Sequence, residues 1–102
     1  MLLGTRNFAT SDVRTLVINY TDWLMKGYAL LSVTPSIAPG AVPPTQSTVG
    51  TTLIDPVEMT AYITLHCASV NETFTLNVVA KDTFGQTIND VLTINVNNPG
   101  SL

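Results

Sequence analysis

Charged side chains are scarce in this sequence, and their scarcity limits the partners that it can bind. Asp, Glu, Lys and Arg make up 11% of the 102 residues, whereas an average soluble domain carries about 25%. The net charge is −3, and the basic residues Arg6, Arg14, Lys26 and Lys81 are spread along the chain. Binding to nucleic acid through its phosphates requires clustered Lys and Arg. We therefore expect no nucleic-acid partner.

Cysteines and long apolar segments are also lacking. Because Cys67 is the single cysteine, neither an intramolecular disulfide nor a zinc site built from thiolates can form. No run of about 20 apolar residues is present, so we expect no membrane-spanning segment and no membrane partner. The opening MLLGTRNFATSD lacks the charged region and the long apolar region of a signal peptide. We assign residues 1–11 to an N-terminal arm, either mobile or lying at a sheet edge.

Short stretches of alternating apolar and polar residues, separated by Pro and Gly, fill most of the chain. β-Branched and aromatic residues dominate these stretches, which indicates strands instead of helices. Six or seven short strands in one domain of about 100 residues are typical of an immunoglobulin-like antiparallel β-sandwich. We therefore predict an all-β sandwich over residues 12–97 and a flexible C-terminal tail over residues 98–102. The predicted strands are residues 13–21, 28–34, 51–59 with an interruption at Pro56, 60–67, 74–81 and 87–96, with a short edge strand near Ile37.

The same alternation predicts the hydrophobic core. Each of the last three strands places apolar residues on one face and mostly polar residues on the other, as expected for an antiparallel sheet with one wet face. The first strand is ambiguous, because Leu16, Val17 and Ile18 are all apolar. The expected core residues are Leu16, Ile18, Trp23, Leu30, Ile63, Leu65, Phe74, Leu76, Val78, Leu92, Ile94 and Val96.

Two turns carry specific local signals. In DTFGQ, Asp82 is expected to begin a hairpin turn and Gly85 to supply a positive φ angle. In DWLMKG, Asp22 suits the N-cap of a single helical turn and Gly27 suits its end. We expect Trp23 to pack beneath this corner between two strands.

His66 and Cys67 carry the side chains most often used in catalysis, and they are adjacent. Neighbouring residues on a strand point to opposite faces, so the two side chains would be divided between solvent and core. Cys67 is then expected to behave as a small core side chain. Asp55 and Glu58 come nearest to the close spacing of a calcium loop, which needs more oxygen ligands than these two supply. We therefore predict no catalytic residue, no metal, no cofactor and no enzymatic activity.

The aromatic residues Tyr20, Trp23 and Tyr28 leave three interpretations open. They can pack in the core or at a corner, as the single Trp of a small sandwich commonly does. Together with Tyr62, they can form an exposed platform for a carbohydrate. They can also contact another protein, because Trp and Tyr are enriched at interfaces. The sequence favours packing in the core or at the corner.

Two segments, VINYTDWLMKGYALLSVT and FTLNVVAKDTFGQTINDVLTINV, resemble small Ig-like structural proteins of tailed bacteriophages, of the phage fiber-tail adaptor type. In the first segment, Asp22, Trp23, Leu24 and Gly27 match the family pattern, and Gly85 matches it in the second. The resemblance covers most of the chain from Val13 to Val96. The Pro-rich residues 35–44 and the stretch IDPVEM depart from the pattern. Further matching residues in the second segment are Phe74, Val78 and the strand over residues 91–96.

The resemblance implies a non-enzymatic structural component of a virion, assembled in the cytoplasm of the host bacterium. In this interpretation the protein joins the tail or connector to fibres, and its partners are other virion proteins and further copies of itself. A capsid decoration (head-fibre) protein and a carbohydrate- or cell-surface-binding module are the alternatives. The expected contact segments are the N-terminal arm and the loop over residues 35–50, with Phe8, Ile37 and Val42 as contact residues.

Overall fold

The protein is an all-β sandwich in a computed structural model that describes residues 2–21 and 29–98. Seven strands form a four-stranded sheet, in the order β1-β7-β6-β3, and a three-stranded sheet, in the order β2-β5-β4. The predicted fold class is thereby confirmed. Among the described residues there is no helix of the length and apolarity needed to cross a membrane. The strands are β1 Leu2–Ala9, β2 Val13–Asn19, β3 Leu30–Ile37, β4 Thr48–Asp55, β5 Thr60–His66, β6 Glu72–Asp82 and β7 Thr87–Asn97.

The order of the strands is that of an immunoglobulin fold. Numbered along the chain, β2-β5-β4 corresponds to strands B-E-D of that fold, and β3-β6-β7 corresponds to C-F-G. The first strand differs from the constant-type arrangement, because β1 pairs with β7 in a parallel direction. The remaining strand pairs are antiparallel. A turn around Ser11, whose φ is 63°, then carries the chain across to the other sheet.

Strand β1 lies in the segment that the sequence assigned to an N-terminal arm. The sequence left open whether this arm is mobile or lies at a sheet edge. Strand β1 matches the second interpretation, because it forms one edge of the four-stranded sheet. Phe8 lies opposite Val96 of β7 and packs against the core. The sandwich therefore includes residues that the sequence placed outside it. Few apolar residues alternate in β1, so its pairing depends on the neighbouring strand.

The core occupies the space between the two sheets and contains the predicted residues that the structure describes. Eleven of the twelve expected residues are buried there, and the twelfth, Trp23, lies outside the described residues. The ambiguity in β2 is settled by its register against β5, which turns Leu16 and Ile18 inward and leaves Val17 exposed. Further buried apolar residues are Tyr20, Val33, Met59, Ala61, Ala68 and Ala80.

The largest differences from the predicted strand boundaries are in β3 and β4. The separate edge strand expected near Ile37 is the end of β3, which continues through Pro35. Because β3 is an edge strand, Pro35 needs no backbone N–H for a further neighbour. Strand β4 begins at Thr48 and ends at Asp55, before Pro56. Its end is fixed by the Asp55 carboxylate, which accepts hydrogen bonds from the N–H groups of Val57 and Glu58.

The predicted hairpin turn between β6 and β7 is confirmed, and it provides a test of backbone strain. Gly85 has a φ of 95°, a region that residues with a Cβ rarely adopt. We expect Gly85→Ala to lower the free energy of unfolding by about 1–2 kcal/mol. Urea denaturation monitored by circular dichroism measures this loss.

Gly50→Ala is the matched control for this prediction. A Cβ at Gly50 would lie 2.7 Å from Nε2 of His66, but that ring is an exposed side chain that can turn away. Gly50 also lacks the positive φ of Gly85. We therefore expect a loss of no more than about 0.5 kcal/mol, as for an ordinary surface substitution. Equal losses for the two variants would contradict the assignment of strain to Gly85.

Candidate interaction surface

The outer face of the four-stranded sheet carries mainly polar side chains, and three of them bond to one another. Asn95 of β7 donates from its amide to Oδ1 of Asn7 in β1, at 3.1 Å. Its own Oδ1 accepts from the Thr73 hydroxyl of β6, at 2.7 Å. In the next row, Thr5, Thr93 and Thr75 are cross-strand neighbours. This part of the face is therefore polar and partly bonded to itself, so it offers little apolar surface to a partner.

The outer face of the three-stranded sheet is different, because an apolar row crosses it. The register places Val17 of β2 and Leu53 of β4 on either side of Tyr62 in β5. Their exposed fractions are 53%, 64% and 39%, respectively. Val13, two positions beyond Thr15 on β2, is also exposed on this face. An aligned apolar patch of this kind on a small domain is typical of an interaction surface.

The outward residues on one side of the apolar row carry no formal charge, whereas the row on its other side includes Asp55, paired with Thr60. On the uncharged side, Thr15 and Thr64 form the next row, opposite a bulge in β4 at residues 50–51. Val13, His66 and Thr48 form the row beyond it. Among the described outward residues of the apolar row and these two rows there is no Asp, Glu, Lys or Arg. We call the outward residues of these three rows the apolar face.

At one end of the sandwich, Glu72 holds the Pro-rich loop between β3 and β4. Its carboxylate accepts hydrogen bonds from the backbone N–H groups of Gln46, at 3.0 Å, and Ser47, at 2.8 Å. Ser47 is buried, and its hydroxyl accepts in turn from the N–H of Ala68. Burial alone would raise the pKa of Glu72, but these hydrogen bonds outweigh it and lower the pKa. The loop is therefore tied to the start of β6 by an ionised carboxylate.

A groove of about 350 Å³ lies between this loop and the start of β6. Val42 stands at its rim with 95% of its surface exposed, next to a cis peptide bond to Pro43. Because Glu72 lies in its wall and binds the loop backbone, the shape of the groove depends on that carboxylate. The residues that line the groove are Ala41, Val42, Pro43, Pro44, Thr45, Gln46, Val70, Asn71, Glu72 and Thr73.

We expect Glu72→Gln to lower the free energy of unfolding by about 1 kcal/mol at pH 7, since one acceptor oxygen and the charge are lost. The folded-state pKa of Glu72 lies below its unfolded value of about 4.3, so the carboxylate stabilises the fold above that value. As the pH falls through the lowered pKa, wild type and variant should converge. Urea denaturation at several pH values measures the difference.

Glu58→Gln is the control for this pH dependence, because the Glu58 side chain is exposed. Among the described residues, the hydrogen bonds of Glu58 use its backbone. We expect this variant to follow the wild type within about 0.5 kcal/mol at every pH. A Glu72→Gln variant that behaved in the same way would show that the carboxylate does not hold the loop.

His66 and Cys67, the sequence candidates for catalysis, are separated as predicted. His66 is exposed on the apolar face, whereas Cys67 is half-buried and packs against the core. Burial raises the pKa of the Cys67 thiol, and the nearby carboxylate of Asp12 raises it further. A thiol with a raised pKa is a poor nucleophile. The described residues include no group of three or more His, Cys, Asp or Glu side chains that could hold a metal.

A search of protein-family models and a search of curated proteins both give no match to this chain. Among solved structures, the chain is similar to the 2,6-sialyltransferase of Photobacterium sp. JT-ISH-224, crystallised with the donor product CMP and the acceptor substrate lactose. The TM-score is 0.52 and the sequence identity is 9%. The similarity covers 97% of this chain but 18% of the sialyltransferase chain. At this identity the similarity is one of fold alone.

The residues of the first segment that carry the phage resemblance lie outside the described part of the chain, whereas those of the second segment are described. Asp22, Trp23, Leu24 and Gly27 belong to residues 22–28, which the structure does not describe. Gly85 is described and adopts the predicted positive φ. The resemblance therefore stays a prediction that rests on the sequence.

The three predicted contact residues differ in their exposure. Val42 is almost fully exposed, whereas Phe8 and Ile37 are partly buried and pack against the core. Phe8 also faces the guanidinium of Arg14, which lies 5.8 Å from the centre of its ring. Phe8 and Ile37 lie on the two opposite edge strands of the four-stranded sheet, and because both are partly buried they offer little surface to a partner. Their role as partner contacts stays a prediction.

The apolar row and one buried polar pair, Tyr20 with Asp90, were not predicted from the sequence. Tyr20 is fully buried, so it cannot take part in an exposed carbohydrate platform. Burial raises the pKa of Tyr20, and the carboxylate of Asp90 raises it further. Burial also raises the pKa of Asp90, and its interaction with the Tyr20 hydroxyl opposes this in part. Alternation continued backward along β7 from Leu92 would have placed Asp90 in the core.

Proposed function

We propose that this protein is a non-enzymatic structural component of a bacteriophage virion, an Ig-like adaptor that joins the tail or connector to fibres. The observation that carries the proposal is the apolar face, where Val17, Tyr62 and Leu53 stand exposed in one cross-strand row. In an assembly, such a row is covered by a neighbour, and its burial stabilises the contact by the hydrophobic effect. The opposite outer face is mainly polar, and Asn7, Asn95 and Thr73 bond to one another there.

Two further features support a structural role. The charge content of 11% suits a domain that covers much of its surface with neighbours. The sequence around Asp22, Trp23, Leu24 and Gly27 resembles the phage adaptor type. On this proposal the partners are other virion proteins of the tail, connector or fibre, together with further copies of this chain. Its location is the virion, after assembly in the cytoplasm of the host bacterium.

Purified phage particles from cells that carry this gene provide the test. We expect mass spectrometry to find the chain in particles that band with infectivity on a density gradient. Gold-labelled antibodies against the chain should then mark the junction of tail and fibres in electron micrographs. Antibody absorbed beforehand with the pure protein is the control for unspecific labelling. A chain that stays in the soluble lysate and is missing from the particles would overturn the proposal.

The same experiment separates the alternatives. Label spread over the head would replace the adaptor with a capsid decoration protein. A carbohydrate-binding module would instead bind glycans in an array, and among the described aromatic residues of the proposed platform it could use Tyr62 but not the buried Tyr20. Glycan binding that disappears in Tyr62→Ala, in a protein absent from particles, would favour that module.

A further inference from the structure

We propose that the apolar face is a two-fold self-association surface, on which the row of Val17, Tyr62 and Leu53 packs against the same row of a second copy. This inference rests on the proposed function, in which copies of the chain meet within a virion. It deepens that function by identifying the neighbour at the apolar face as a second copy of the chain. In this arrangement the three-stranded sheets of two copies stack face to face, at the spacing of about 10 Å found between packed sheets.

The position of the row makes the face complementary to itself. Tyr62 lies on the middle strand, with Val17 on one side and Leu53 on the other. A two-fold axis that lies between the two stacked sheets and passes over Tyr62 therefore places the row of one copy opposite the same row of the other copy. This holds whether the axis runs along the strands or across them. A contact between identical copies needs a patch of this kind, in which the same residues serve both partners.

The distribution of charge favours a second copy at this face. Each chain carries a net charge of −3, so two copies repel one another over most approaches. The apolar face avoids this repulsion because its described rows contain no formally charged side chain. Asp55 lies in the row next to the apolar row, opposite Thr60, and its carboxylate accepts from the N–H groups of Val57 and Glu58. Because Asp55 lies off a two-fold axis that passes over Tyr62, the axis places the Asp55 carboxylates of the two copies on opposite sides of it and does not bring them together.

The size of the face predicts a weak contact. Three strands about 4.8 Å apart and about seven residues long cover roughly 14 Å by 24 Å. Roughly 340 Å² in projection is less than half of the ~800 Å² that each partner contributes to a standard interface. We therefore expect a dissociation constant on the order of 0.1–1 mM in solution. Within a virion, copies held close together by other contacts would pair despite this low affinity.

Leu53→Lys and Val79→Lys form a matched pair of variants. Both add one positive charge at an exposed apolar position, but Leu53 lies in the row and Val79 lies on the outer face of the four-stranded sheet. Sedimentation equilibrium from about 50 µM to about 2 mM brackets the expected dissociation constant. We expect the wild type to dimerise in this range, Leu53→Lys to weaken dimerisation at least tenfold, and Val79→Lys to leave it unchanged within about twofold.

Concentration-dependent NMR spectra identify the surface independently. Backbone resonances of Val17, Tyr62 and Leu53 should shift or broaden as the wild type is concentrated, whereas those of Thr73 and Asn95 on the other face should not. If Leu53→Lys fails to fold, Val17→Lys replaces it with the same expected effect, since Val17 is an exposed member of the same row.

The proposal is overturned if the wild type stays monomeric throughout the concentration range, which would leave the face to a different partner. It is also overturned if Val79→Lys weakens dimerisation as much as Leu53→Lys does, or if the spectral changes fall on the four-stranded sheet. These outcomes are distinct from failure of the proposed function. Absence of the chain from phage particles would overturn the virion role and leave the dimerisation in solution as measured.

Discussion

Replacing Asp82 with Ala should lower the free energy of unfolding by about 3 kcal/mol, and the melting temperature by about 15 °C. Asp82 is fully buried at the end of β6, and its Oδ1 accepts hydrogen bonds from the N–H groups of Phe84, at 3.0 Å, and Gln86, at 2.8 Å. Alanine leaves both donors without this acceptor in a partly buried turn. Each unsatisfied donor costs about 1–3 kcal/mol.

The consequences of this substitution extend beyond the turn itself. The next residue, Thr83, donates its N–H to the carbonyl of Ala29 at 2.9 Å, and its hydroxyl accepts from the N–H of Ala29 at 3.2 Å. Asp82 thus holds the hairpin in the shape that contacts the chain just before β3. Loss of the turn should therefore also loosen the start of β3, which hydrogen exchange of the backbone amides can detect.

Asp55→Ala is the matched control for Asp82. The Oδ1 of Asp55 also accepts from two turn N–H groups, those of Val57 and Glu58, both at 3.1 Å. These donors are exposed and can bind water when the carboxylate is removed. We expect a loss of about 1 kcal/mol for this variant. If Asp82→Ala cost no more than Asp55→Ala in thermal and urea denaturation, burial of the turn would not be the cause.

Asp90→Asn is expected to raise the free energy of unfolding by about 2 kcal/mol at pH 7. Asp90 points into the core from β7, with 1% of its surface exposed. Burial raises its pKa above the usual value, because the charged form loses hydration, and the Tyr20 hydroxyl compensates in part. Asparagine keeps an acceptor for that hydroxyl and removes the buried charge.

The pH dependence of Asp90→Asn follows from the direction of the pKa shift. Because the folded-state pKa of Asp90 lies above its unfolded value of about 3.9, the wild type loses stability as the pH rises from that value through the folded pKa. The variant lacks this titration. Its advantage over the wild type should therefore be absent at low pH, increase through this window and stay constant above it. Urea denaturation at a series of pH values measures the difference.

Tyr20→Phe provides the control for the partner of Asp90. Removing the hydroxyl takes away the group that compensates the buried carboxylate of Asp90. At pH 7 we therefore expect Tyr20→Phe to lower the free energy of unfolding more in the wild type than in the Asp90→Asn variant. A double-mutant cycle measures this coupling. Additive effects, or an Asp90→Asn variant that is less stable than the wild type at pH 7, would contradict the assignment of an unfavourable buried charge.

Local sequence patterns were sufficient for the part of the fold that depends on near neighbours. Strands β5, β6 and β7 alternate with a period of two, so their inward residues could be named from the sequence. Asp82 and Gly85 were predicted because a tight turn requires a side-chain acceptor and a positive φ within a few residues. Leu16 and Ile18 were expected in the core, although the sequence left the face of β2 open.

The candidate surface depends on contacts between distant parts of the chain. Val17, Tyr62 and Leu53 belong to three strands, and only the register of β2 and β4 against β5 brings them into one row. A shift of one residue would turn each side chain to the opposite face. The sequence did place Tyr62 on the polar side of its strand, but its apolar neighbours could not be known without the pairing.

By itself, the sequence determined an all-β sandwich, most of its core and the absence of clustered charge, because composition and alternation act over a few residues. Tertiary structure decided the parallel pairing of β1 with β7, the burial of Tyr20 with Asp90 and the alignment of the apolar row. Each of these joins residues from separate strands or from both sheets. Their positions depend on strand register and sheet packing, which no local pattern specifies.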